Sequence, residues 1–189
     1  MPGSAIMEKT PLGTQTRSIY RGKVIALNLE TTVLPNGQTV SLEIARHPGG
    51  SAIVAVDKQQ RLCLLRQYRH AAGGWIWELP AGKRELDEDP LDTAQRELEE
   101  EAGLRAKAWR KLGTVLTTPG FCDEVIHIYI AQELTRSEPH TEDHELLECH
   151  WVDAGRVQTW ISDGTLSDAK SIIGIQLALA ALKTFPQRK

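Results

Sequence analysis

The sequence predicts an α+β layered sandwich, a mixed β-sheet covered by helices with a β-hairpin arm ahead of it. Three observations carry that expectation. β-prone runs fill the first third of the 189 residues, a single well-capped helix follows near the middle, and further strands then precede two C-terminal helices.

Taken in order, residues 1–16 are polar and aperiodic and are expected to be a flexible tail. From Tyr20 the chain becomes β-rich. RGKVIALNLETTVL and QTVSLEIARH flank Pro35-Asn36-Gly37, and Asn-Gly between two such runs signals a hairpin. Residues 17–50 therefore read as an N-terminal β arm, and residues 51–189 as the main domain. Residues 51–56 and 61–66 flank the polar turn 57–60 and suggest a second hairpin. Residues 75–79 form a short strand running into Pro80-Ala81-Gly82. Asp89 and Pro90 open a helix as N-cap and first helical residue, since proline lacks an N–H that would be orphaned there anyway. Gly103 stops it in the left-handed conformation. Residues 109–116 and 125–131 are strand-like around the loop 117–124. The acidic stretch 137–145 is a loop before a strand at 146–152. A short helix is expected at 154–162 and a longer one at 168–184, with Ile172, Ile175, Leu179 and Leu182 at helical spacing.

Composition narrows the function classes. A hydrophobic fraction of 41% and a charged fraction of 25% fit a soluble globular protein. The formal charge of −3 argues against generic binding to nucleic acid or an anionic membrane, which needs a clustered positive field. No apolar run approaches a membrane span, and the first residues lack a basic segment followed by an apolar one, so a cytoplasmic location is expected. Cys63, Cys122 and Cys149 are scattered and odd in number. They suggest neither zinc nor a disulfide framework, and are expected to be mostly buried thiols in a reducing compartment.

The chemistry concentrates in residues 82–104, GKRELDEDPLDTAQRELEEEAGL. Glu97 and Glu101 lie four residues apart and Glu100 three from Glu97, so a helix projects all three from one side. Like charges at that spacing destabilise a helix unless something positive lies between them. A hard cation such as Mg²⁺, which prefers oxygen ligands, is the natural partner, with Mn²⁺ as a substitute. An isolated pair of glutamates would be an ordinary solvated face. Here the glutamates come with Gly82, Glu88, Arg96, Leu98, Gly103 and Leu104 at fixed offsets. The set resembles the Nudix box: glycine, five residues, Glu, seven residues, then R-E-apolar-x-E-E-x-G-apolar. Gly82, Glu88, Arg96, Glu97, Leu98, Glu100, Glu101, Gly103 and Leu104 match every defined position.

Features outside the box look like the ADP-ribose pyrophosphatase branch of that family. They are the stretches LRQYR ending at Arg69, WELPAGK ending at Lys83, TPGFCDE ending at Glu124, and GTLSDAK ending at Lys170, with Pro119 fifteen residues after Leu104. The resemblance implies a Nudix α/β/α sandwich with a mixed sheet and an N-terminal β-hairpin arm. It also implies a homodimer with exchanged N-terminal strands, and hydrolysis of the diphosphate of ADP-ribose or a related nucleoside diphosphate sugar. Thr118 and Ser171 depart modestly from the branch pattern. Leu42 stands where some relatives carry an aromatic, which leaves base preference open.

The same resemblance assigns roles. Glu97, Glu100 and Glu101 would hold the metal, joined by the backbone carbonyl of Ala81. Arg96 is either catalytic or a fixing residue that pairs with a box carboxylate, and Glu88 shares that alternative. The general base is Glu145, in the acidic loop, or Glu100, with His144 as a competitor. Arg69 would contact the diphosphate, Glu78 a metal-held water or a ribose hydroxyl, and Glu43 and Arg46 the nucleoside. Trp75 and Trp77 either stack on a base or serve packing. Three other readings compete. One is a broad or GDP-mannose-type hydrolase. Another is a non-catalytic ADP-ribose sensor, disfavoured by the intact box and the lack of a basic helix-turn-helix. The third is RNA cap removal, disfavoured by the net acidity.

Overall fold

The computed structural model describes residues 13–138 and 146–184, arranged as two compact units. The first unit takes the chain up to His47 together with Thr118–Asp123, and the second takes the rest.

In the first unit β1 (Gln15–Arg21), β2 (Ala26–Val33) and β3 (Thr39–Arg46) form an antiparallel sheet in the order β1-β2-β3. The Asn-Gly turn joins β2 to β3 as expected, with Gly37 at φ 85° and Leu34 N–H donating to Gln38 O at 2.8 Å. β1 starts at Gln15, so the polar stretch expected to be tail is already strand there, with Thr16 opposite Glu30. Every residue of β1 is exposed, so no apolar alternation marks it in the sequence. Ladder hydrogen bonds define it instead.

The second unit contains β4 (Gly50–Ala55), β5 (Arg61–Arg69), a 3₁₀ turn (His70–Ala72), β6 (Gly74–Glu78), β7 (Ala81–Lys83), α1 (Pro90–Ala102), β8 (Leu104–Leu116), β9 (Val125–Arg136), β10 (Leu147–Asp153), α2 (Ala154–Asp163) and α3 (Ala169–Thr184). One sheet is mixed, in the order β7-β4-β9-β8, with β4 and β9 parallel. The other is antiparallel, in the order β10-β5-β6. The expected second hairpin is corrected here. Asp57 N–H still donates to Arg61 O at 3.0 Å, and Val56 bridges Leu62, but β4 and β5 then diverge into different sheets. All six residues of β4 are buried, so it has no face to give to solvent. A strand that apolar belongs at the centre of a covered sheet, not in a two-stranded ribbon.

Strand parity builds the layers. Ala52, Val54 and Val56 pack with Ile126, Ile128 and Ile130 of β9, Val157 of α2, and Ile175 and Ala178 of α3. Ile53 and Ala55 pack on the opposite side with Tyr129 and Ala131 of β9 and with Ala94 and Leu98 of α1. The unit is thus an α/β/α sandwich, as the resemblance to the Nudix family implies. Ile172, Leu179 and Leu182 sit at the margin of the first cluster. β8 begins directly after Gly103, five residues before the expected strand at 109. Its opening RAKA carries exposed charge and weak β propensity, the composition of an edge.

Gly174 lies where α3 crosses the core. A Cβ there would stand 2.9 Å from Leu79 Cδ1 and 3.3 Å from Ile128 Cγ2. Gly174→Val is therefore expected to destabilise the fold by about 1–3 kcal/mol through overpacking. Ile128→Ala, which empties the same contact from the other side, should cost about 2–5 kcal/mol. Urea unfolding of both variants checks this, and wild-type midpoints for both would contradict the packing described.

Candidate active site

The helix that carries the box forms for the reasons its sequence supplies. Asp89 Oδ1 accepts from Leu91 N–H at 2.8 Å, Pro90 occupies the first turn, and Gly103 closes the helix at φ 60°, its N–H donating to Glu99 O. Ser51 Oγ, fully buried on β4, donates to Pro90 O at 2.6 Å and seats the first turn on the sheet.

On this helix Arg96 acts as a clamp. Its Nε donates to Glu88 Oε1 at 2.9 Å and its Nη2 to Glu88 Oε2 at 3.1 Å, a bidentate pairing with the preceding loop. Nη2 also donates to Lys83 O at 3.1 Å, and Nη1 reaches Glu97 Oε1 at 2.7 Å and Glu100 Oε2 at 2.9 Å. The guanidinium therefore offsets the repulsion among three carboxylates. Glu88 is further fixed by Thr93 Oγ1 at 2.8 Å and by Glu85 N–H at 3.0 Å, and Arg84 grips its carbonyl. The hydrogen-bonded Arg96 beside it holds the Glu88 carboxyl down at about 2.

Glu101 and Glu97 meet β7 just ahead of the helix. Glu101, 4% exposed, accepts from Ala81 N–H at 2.8 Å. Glu97 lies so close over Gly82 that a Cβ there would fall on its carboxylate, which explains the glycine. Among the described residues no three His, Cys, Asp or Glu side chains are arranged as a ready-made metal nest. In this conformation the carboxylates are shared between Arg96 and the Ala81 amide. The donor set nonetheless suits a hard divalent cation. Its members are all oxygen, they project from one helix face, and the missing side chain at Gly82 leaves bare backbone beside them.

The remaining predicted residues divide. Arg69 and Glu78 come together, Arg69 Nε donating to Glu78 Oε2 at 2.7 Å. Lys170, which has no role assigned from sequence, joins them by donating to Glu78 Oε1 at 2.6 Å and to Asp168 Oδ2 at 3.0 Å. Ser171 Oγ accepts from Leu79 N–H at 2.8 Å, so the Ser departure from the branch pattern keeps the hydroxyl that this bond needs. The DAK stretch was the available signal for Lys170, although nothing local says where its ammonium points. Glu43 and Arg46 belong to the first unit. Arg46 pairs with Glu30 at 2.6 Å and with Asp123 at 3.0 Å, while Glu43 is exposed on β3 opposite Leu29. Trp77 stacks against Trp160 at 4.7 Å and packs on the core, whereas Trp75 is exposed beneath Arg66. Glu145 and His144 lie outside the described residues.

The depressed Glu88 carboxyl gives a pH test with a definite sign. A folded-state value of about 2, against an ordinary 4.5, contributes stability that is complete above pH 4.5 and fades as pH falls towards 2. Wild type should therefore exceed Glu88→Gln in urea midpoint at pH 6, with the gap narrowing at pH 3. A gap that stayed constant would remove the Arg96–Glu88 pair as its cause.

Comparison with known proteins places the chain in a family. Residues 46–172, about two-thirds of the chain, match the NUDIX domain family. The chain is 39% identical over 160 residues to the ADP-ribose pyrophosphatase of Bacillus subtilis (strain 168), covering 84% of this chain and 86% of that protein. It is 36% identical over 176 residues to the methanol dehydrogenase activator of Bacillus methanolicus, covering 92% and 94%. A crystal structure of an ADP compounds hydrolase superposes with a TM-score of 0.78 at 20% identity, covering 96% of this chain and 98% of that one, which is a likeness of fold. Among the described residues no helix is long and apolar enough to cross a membrane. With the domain match spanning the clamp, the turn and the DAK stretch alike, the chain belongs to the Nudix family of pyrophosphohydrolases.

Proposed function

We propose that this chain hydrolyses the diphosphate bond of ADP-ribose, giving AMP and ribose 5-phosphate, or of a related nucleoside diphosphate sugar. The observation that carries the proposal is the oxygen-rich face of α1, with Glu97 and Glu101 held against Ala81 and Gly82 of β7. The likeness to the Bacillus subtilis enzyme supports the choice of substrate.

Glu97, Glu100 and Glu101, with the Ala81 carbonyl, would hold Mg²⁺ or Mn²⁺, which neutralises diphosphate charge and makes water easier to deprotonate. The chain's own groups do the rest. Arg96 keeps Glu97 and Glu100 aimed from the helix, and so acts by positioning. Arg69, held by Glu78, presents its remaining donors to a phosphate oxygen. Glu43 and Arg46 contact the nucleoside. Water attacks one phosphorus as a carboxylate takes its proton, and the P–O bond to the other phosphate breaks. Glu145 is the preferred acceptor of that proton, with Glu100 as the alternative, whose side chain is 39% exposed. A hexose nucleotide such as GDP-mannose is the second reading. Leu42, 40% exposed on β3, offers an aliphatic rather than aromatic platform for a base.

The first unit exposes Ile19, Tyr20, Val24, Ile25, Val33 and Leu42, an apolar surface that supports a homodimer formed through the N-terminal arm. Sedimentation velocity should give twice the chain mass, and a monomer at micromolar concentration would rule the dimer out.

Catalysis is tested by turnover across ADP-ribose and nucleotide hexoses with Mg²⁺, with products identified by mass spectrometry. ADP-ribose is expected to give the highest kcat/KM. A hexose nucleotide ahead of it by tenfold or more would shift the assignment to the second reading. Glu101→Gln keeps an acceptor for Ala81 N–H but loses a ligand charge, so kcat should drop by about 10²-fold or more with an unchanged urea midpoint. Glu145→Gln should lower kcat while metal affinity is kept. If Glu100→Gln alone does so, the base is Glu100.

A further inference from the structure

Two thiols that the proposed reaction does not use face each other across a strand pair. β5 and β10 run antiparallel, with Cys63 opposite Trp151 and Cys149 opposite Leu65. Residues two apart on a strand share a face, so Cys63 and Cys149 are diagonal neighbours on the same side of the sheet. Their sulfurs stand 3.3 Å apart, although the residues are 86 positions apart in sequence. Burial is asymmetric. Cys63 is fully buried in the layer that includes Ala94 and Leu98 of α1, whereas Cys149 is exposed, which corrects the expectation of mostly buried thiols.

We propose that Cys63 and Cys149 form a peroxide-oxidisable dithiol site that closes to an intramolecular disulfide joining β5 to β10. Each step follows from placement. The Cys149 thiolate, reachable from solvent, attacks one oxygen of hydrogen peroxide. An S–O bond forms, the O–O bond breaks, and hydroxide departs to take up a proton, leaving Cys149 as the sulfenic acid. Cys63 then attacks the Cys149 sulfur. The S–S bond forms, the S–O bond breaks, and the oxygen leaves as water carrying the Cys63 proton. Two thiols and one peroxide thus become one disulfide and two waters.

The division of labour between the two cysteines has a physical basis. The hydrogen bond from the Cys63 thiol to the Cys149 sulfur lowers the Cys149 thiol below its usual range, and burial adds to that bond in pushing the Cys63 thiol up. The accessible cysteine is therefore the better thiolate, and its buried partner is kept from peroxide until a sulfenic acid appears beside it. A disulfide needs the sulfurs at about 2.05 Å, so they must approach by about 1.2 Å from the separation seen here. Cross-linking positions so distant in sequence removes unfolded-state freedom, so the oxidised protein should melt higher.

The test uses the full chain exposed to a small excess of hydrogen peroxide and then alkylated without reductant. Intact mass should show two hydrogens lost. Peptide mapping should find Cys63 joined to Cys149, with Cys122 alkylated, whereas dithiothreitol added before alkylation should leave all three cysteines alkylated. Cys63→Ser should stop at a Cys149 sulfenic acid that dimedone traps. Cys63→Ala guards against a fold lost to a buried hydroxyl and should behave alike. Cys149→Ser should leave Cys63 alkylatable after denaturation. The proposal is overturned if wild-type Cys149 runs on to the sulfinic acid, if the only disulfides are intermolecular or involve Cys122, or if Cys63 variants lose dimedone labelling at Cys149.

Discussion

Carboxylates crowded on one helix face repel one another, and the second unit is organised around the cation that offsets this. Arg96 reaches Glu97 and Glu100 on its own helix, Glu88 on the preceding loop and the carbonyl of Lys83 at the end of β7. Hydrogen bonds to charged groups contribute about 1.5–3 kcal/mol each, net of the water they replace, and the planar fork of arginine makes several at once. Lysine could supply the charge but not the simultaneous bidentate and carbonyl contacts. The clamp therefore does two jobs. It lets the acidic helix fold, and it fixes where the helix stands relative to the loop that leads into it.

The rest of the site depends on how closely that helix meets the sheet. Ser51 ties its first turn to β4, Glu101 receives the Ala81 amide, and Glu97 rests where Gly82 has no side chain. These three contacts all pass through the β4–β7 pairing, in which Ser51 lies opposite Gly82 and Ala52 opposite Ala81. The full burial of β4 is thus more than core packing. It supplies the rigid floor on which the oxygen donors are held, and a mobile floor would scatter them.

A second polar network repeats the principle with different partners. Glu78, 4% exposed, is a buried carboxylate that would be costly alone. Arg69 of β5 and Lys170 of α3 compensate it, and Asp168 in turn holds Lys170. The network joins the β10-β5-β6 sheet to the last helix and leaves Arg69 partly exposed, so a group proposed to meet a phosphate is also part of the framework.

Local signals in the sequence determined the box helix completely. Its N-cap, first-turn proline, terminal glycine and the facing of Glu97, Glu100 and Glu101 all follow from spacing within one segment. The Asn-Gly hairpin was legible for the same reason. The order of elements pointed to an α+β layered sandwich, and the α/β/α class followed only from the resemblance to the Nudix family. What the tertiary structure alone decided lies beyond a local window. The separation of β4 from β5 depends on β9, a partner about 75 residues away that competes for β4 and wins because both faces of β4 are apolar. Exposed β1 and the charged start of β8 carry no periodicity and exist because a neighbouring strand pairs with them. Lys170 was visible as part of a motif, yet its meeting with Glu78 needs α3 folded across the sheet. The contact between Cys63 and Cys149 was likewise beyond spacing rules, because it arises from strand register, and register is fixed only when β10 docks on β5.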